Sequence, residues 1–156
     1  MNVCIHKVLL KYKNKEDEMN DIFAEINKIR FAVTGTPLSD EDINNFQANL
    51  IENGYSQLPD EVITFLKKYN GFLFENRCIW GISPKQKYQY DIIGENNLAE
   101  NPTPEDLTLL GETETTYIGW YKSTNSYSMI DKYDFSVIHT FDNFQNAVRY
   151  LLKIDD

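Results

Sequence analysis

Cysteine is scarce in this chain: Cys4 and Cys78 are the only two in 156 residues. That is too few for a disulfide framework, so the fold is expected to rest on core packing in a reducing compartment. No apolar run approaches the roughly 20 residues needed to cross a bilayer. The N-terminal lysines Lys7, Lys11 and Lys13 interrupt or follow Val8-Leu9-Leu10, whereas a signal segment would place them first. The expected location is therefore cytoplasmic, without membrane contact. The seven glycines (35, 54, 71, 81, 94, 111 and 119) never come closer than eight positions apart. Neither a dinucleotide fingerprint nor a phosphate loop fits that spacing.

Positive charge is also thin, and unevenly so. The net charge is −9; residues 1–90 hold 12 acids and 11 bases, and residues 91–156 hold 12 acids and 4 bases. From Tyr88 through Tyr121 there is no Lys or Arg. Holding a nucleic-acid backbone needs clustered cations, so direct nucleic-acid binding is not expected.

What is present suits one globular domain: 42% hydrophobic and 13% aromatic residues are too many for a disordered chain. Met19, Ile22, Phe23, Ile26 and Ile29 recur at helical spacing within Glu16–Arg30. Val3–Tyr12 fits a helix or a strand. Thr34-Gly35-Thr36-Pro37 breaks the chain, and Ser39 is placed to cap a second helix with Ile43, Phe46, Leu50 and Ile51 on its inner face. Asn53-Gly54 stops that helix. A third opens with Pro59 at its first position, buries Val62, Phe65, Leu66 and Tyr69, and closes at Asn70-Gly71. Short aromatic or β-branched runs follow at 72–74, 78–82, 90–93, 107–110, 117–121, 127–130 and 137–141, separated by turn residues. Asp142 and Gln145 form a D-x-x-Q capping box for a last helix with Phe144, Ala147, Val148, Leu151 and Leu152 on its face. The class predicted is α+β, a mostly antiparallel sheet with helices before it and one after.

Residues that could carry chemistry are few. A nucleophile needs a base beside it, commonly histidine, and only His6 and His139 exist. His139 alternates with Val137 and Phe141, which predicts a partly buried structural residue. Structural zinc sites come as closely spaced pairs, and Cys4-x-His6 is the only such pair. No metal and no cofactor are expected. Glu112 and Glu114 would share one face of an extended segment, but without cations nearby they read as a solvated acidic edge before a general acid/base pair. Trp80 and Trp120 read as core residues before walls of a small-molecule pocket. Alternation sends Ile118 and Trp120 to one face of their strand and Tyr117 and Tyr121 to the other. With Tyr127, these tyrosines offer apolar area with a hydrogen-bonding tip.

The stretch from Gly54 to Gly71 resembles the signature of the SUKH superfamily, whose members include fungal cell-wall-assembly regulators and bacterial YrhA-like proteins. The shared residues are Leu58-Pro59 opening a helix, Phe65-Leu66 on its inner face, Asn70-Gly71 at its end, and a following apolar strand closing on Gly81. Val137–Phe141 and Asp142-Asn143-Phe144 with the closing helix resemble the YrhA-like branch. The likeness runs from about Pro37 to Ile154, so 37–154 is expected to be the family-like core and 1–36 an added helical segment. It implies a curved, mostly antiparallel sheet with N-terminal helices and a C-terminal helix packed on it. Bacterial members are widely inferred to be immunity proteins that neutralise toxins, many of them nucleases. The matched residues carry architecture and transfer no active site.

The expected function is thus non-enzymatic: an immunity protein that binds a protein toxin, for example a basic nuclease, through an acidic surface. Asp91, Glu95, Glu112 and Glu114, with Tyr117, Tyr121 and Tyr127, are the residues expected to form it. A regulatory or scaffold module is the alternative, and an acid/base enzyme a further one. The sequence does not separate monomer from dimer.

Overall fold

The computed structural model describes residues 19–82 and 91–152. Val3–Tyr12, with Cys4 and His6, lies outside them. Helix α1 covers residues 19–28 and buries Met19, Ile22, Phe23 and Ile26, as its periodicity predicts. Helix α2 (Asp40–Glu52) starts at a closed capping box: the Ser39 hydroxyl accepts from the Asp42 amide, and the Asp42 carboxylate accepts from the Ser39 amide, both at 3.1 Å. Ile43, Phe46 and Leu50 are buried, but Ile51, expected on the same face, is exposed. One residue advances the helix by about 100°, which carries Ile51 past the buried stripe. Helix α3 (Asp60–Lys68) begins one residue later than predicted, with Pro59 as its extended N-cap and Val62, Phe65 and Leu66 buried.

Among the described residues the sheet has seven strands: β1 (Val33–Thr34), β2 (Phe72–Phe74), β3 (Arg77–Ile79), β4 (Leu107–Glu112), β5 (Thr116–Tyr121), β6 (Ser126–Asp131) and β7 (Val137–Phe141). Each pairs antiparallel with the next, so the order in space is the order in sequence. With five helices among the described residues, this is an α+β fold with a curved open sheet and helices packed against it. Two local differences from the sequence reading stand out. Val33–Thr34 pairs with β2 where a chain break was expected, which joins the 19–36 segment to the sheet. The expected strand at 90–93 is instead the start of helix α4 (Ile92–Leu98), because Asp91 caps it by accepting from the Gly94 amide at 3.0 Å.

The layer over one face of the sheet is aromatic. Phe23 of α1 stacks on Phe65 of α3, Phe65 meets Phe144 edge-on at 5.5 Å between centroids, and Phe144 meets Tyr127 of β6 at 5.5 Å. Phe144 opens the last helix, α5 (Phe144–Leu152). Its cap is not the predicted D-x-x-Q box. Asn143 accepts from the Asn146 amide at 2.9 Å, while Gln145 is buried and its Oε1 finds no partner among the described residues.

Leu58, Asn70, Gly71 and Gly81 have structural tasks. Leu58 is buried and exchanges two hydrogen bonds with the Gln47 amide, at 2.8 and 3.1 Å, docking the loop on α2. Fully buried Asn70 donates to the Ile82 carbonyl at 3.0 Å and accepts from the Ile82 amide at 2.6 Å, a side chain acting as a short strand. Gly71 has φ +89°, a backbone that favours glycine. A Cβ on Gly81 would stand 2.6 Å from Asn70 Oδ1, so the amide and the glycine need each other.

Candidate functional site

Strand β5 divides the residues expected on the binding surface. Tyr117 and Tyr121 do share a face, opposite that of Ile118 and Trp120. Tyr127 does not join them. The β5–β6 hairpin sets Tyr127 opposite Trp120, on the helix-covered face. There it is buried, and its hydroxyl donates to Glu61 Oε2 at 3.0 Å. Burial, then the Glu61 carboxylate, push its phenol far above the ordinary tyrosine range. The same Glu61 oxygen accepts from the Phe144 amide at 3.3 Å, so Tyr127 belongs to a tie between β6, α3 and α5. A hairpin register that differs by one residue reverses every side chain, and periodicity within one strand does not report it.

On the Tyr117 face the structure gathers Asp91, Glu95 and Glu112. Asp91 caps α4, Glu95 lies one turn on, and Glu112 ends β4 directly opposite Tyr117. Lys132, from the β6–β7 turn, reaches this group: its ammonium is 2.7 Å from Glu112 Oε2 and 5.2 Å from the centre of the Tyr117 ring. The span without cations in sequence thus receives one in space. Glu95 holds its proton more tightly than an ordinary glutamate, mainly through burial, then through the Glu112 and Asp91 carboxylates. Burial and Glu112 also push the Cys78 thiol up to about 12, so Cys78 stays a buried, unreactive thiol. Trp80 and Phe135 flank Tyr117 at 6.1 and 5.8 Å between centroids. Trp80 and Trp120 therefore lie on opposite faces, both buried, and bound no common pocket.

Tyr121 sits at the far end of the same strand face, about 13 Å from Tyr117 by strand rise, next to Asp106. Glu114 separates from Glu112: it is exposed in the β4–β5 turn and lines a cleft of about 940 Å³ between α5 and the strand turns. Arg77, Glu75 and Arg149 add charges of both signs to that cleft, above an apolar floor of Met129 and Phe141. Glu112 and Glu114 cannot act as a pair from these positions. His139 is exposed, contrary to the expectation of partial burial, because β7 lies at the sheet edge; its ring packs 4.8 Å from Tyr150. No group of three or more His, Cys, Asp or Glu side chains is placed to hold a metal among the described residues.

Residues with no sequence signal hold this arrangement. Buried Asn96 donates to the Ile92 and Leu109 carbonyls at 2.7 and 2.8 Å and accepts from the Leu109 amide at 2.8 Å. It fastens α4, and so Glu95, to β4. Asn101 adds bonds to Asn96 and to the Leu107 carbonyl. No helix among the described residues is long and apolar enough to cross a membrane. Compared with protein-family models and with curated proteins, the chain finds no match in either.

Proposed function

We propose that this chain is a non-catalytic protein-binding module, and that it serves as an immunity protein neutralising a basic toxin, with a nuclease as the leading candidate. The SUKH-like motif supplies the immunity setting. The observation that supports the mode of binding is the convergence of Asp91, Glu95 and Glu112, joined among the described residues by Lys132, beside half-buried Tyr117. The Glu112 and Asp91 carboxylates both add to the hold of Glu95 on its proton, which marks the patch as rich in acid. A partner that brings lysine or arginine to it would favour ionised Glu95, so docking would release a proton and tighten with rising pH. An anionic face would also speed encounter with a cationic partner and compete for its phosphate-binding groove.

The test is the product of a toxin-like gene beside the gene for this chain. Co-expression should relieve its lethality, and titration calorimetry should show a one-to-one complex. Undiminished lethality together with no measurable complex would overturn the reading.

A further inference from the structure

Among the described residues, strand β7 is the longer open edge of the sheet. At the other edge, β1 has two residues; β7 has five, and no strand among the described residues pairs with its outer side. Such an edge exposes unpaired amides and carbonyls that template another strand, and proteins usually guard it with lysine, proline, a bulge or brevity. Val137-Ile138-His139-Thr140-Phe141 contains neither lysine nor proline. The nearest lysine, Lys132, is turned onto Glu112. One guard is present, a register shift opposite Met129/Ile130 that leaves Ile138 out of the β6 pairing. It does not hide apolar surface: Val137 is 50% and Ile138 51% exposed, and Tyr133 at the tip of the adjoining turn is 96% exposed. That turn is held in place, since the Asp131 carboxylate accepts from the Tyr133 amide at 2.7 Å and the Asp134 carboxylate from the Ser136 amide at 2.9 Å.

Charge selects the occupant. The strand is uncharged, and the acids Asp134 and Asp142 bracket it. A second copy would bring the same brackets and another net −9 to the edge. Symmetric antiparallel pairing must also centre on one residue, and the register of greatest overlap sets His139 against His139. We infer that β7 accepts an added strand from another protein, an extended apolar segment with a lysine or arginine at each end. Main-chain hydrogen bonds would give affinity, Val137, Ile138 and Tyr133 the apolar contact, and Asp134 and Asp142 the polarity. This surface uses none of Asp91, Glu95 and Glu112 and stands whether or not that patch binds a toxin.

The probe is a nine-residue peptide of alternating valine and threonine with a lysine at each end, titrated into the ¹⁵N-labelled chain. Amide shifts should concentrate at 133–142. A glutamate-ended peptide should bind about fivefold more weakly or worse, the scale of two exposed ion pairs, and a peptide with a central proline should not bind. Asp142→Lys should erase the preference for lysine ends, while Ile138→Asn should weaken all binding with the native spectrum retained elsewhere. Shifts away from β7, equal binding of all three peptides, or a dimer of the chain that Ile138→Asn dissolves would each overturn the inference.

Discussion

Asn70 and Asn96 are fully buried amides that replace backbone partners, one for Ile82 and one for Leu109. Leaving such a group unpaired costs about 1–3 kcal/mol, which explains why each is bonded on both its oxygen and its nitrogen. The sequence marks Asn70-Gly71 as a helix stop, but α3 already ends at Tyr69, an extended C-cap, and Gly71 at φ +89° turns the chain into β2. The task of Asn70 twelve residues away at Ile82 has no local signal, because it exists only once the strands are assembled. Glu95 was legible as an acid and not as a half-buried one. Its protonation makes a prediction with a definite sign. In the unfolded chain a glutamate ionises at about 4.3, and in the fold Glu95 keeps its proton to higher pH. Ionising it therefore costs the folded state, a cost absent below the unfolded value and complete once pH has risen through the folded one. Glu95→Gln should raise Tm at pH 7 and leave it nearly unchanged at pH 4, read by scanning calorimetry. A lowered Tm at pH 7 would mean that the Glu95 carboxylate stabilises the fold.

Helices with a clear apolar stripe, α1, α2 and α3, were legible from spacing alone. Helix α4 was not. Its seven residues include a glycine and a buried asparagine, and Leu98 is exposed, so no apolar period exists to read. Its one usable signal is Asp91 three residues before Gly94. Strand β1 escaped because two residues before a glycine look like a break. The cap of α5 shows how close two sequence choices can be: Asp142 and Asn143 are both good capping residues, and only Asn143 bonds the first turn, through the Asn146 amide. Asn143→Ala should cost about 1 kcal/mol in urea denaturation, and Asp142→Ala a few tenths at most. The reverse order would return the cap to Asp142.

Across the whole molecule, a mostly antiparallel sheet was within reach of the sequence because short runs and turn residues alternate, and six of the seven strands among the described residues coincide with those runs. Which faces those runs present was not, since hairpin register decides it. That is why Tyr127 moves to the core while Tyr117 keeps company with Glu95, Glu112 and Lys132. The acid excess, concentrated in residues 91–156, makes binding through an anionic face measurable. The most direct test is the affinity for the neighbouring-gene toxin, measured by titration at about 50 and about 500 mM salt, where the screening length falls severalfold. Affinity should fall steeply with salt, and less steeply for Glu95→Gln. An affinity independent of salt, unchanged by Glu95→Gln, would contradict binding through an anionic face.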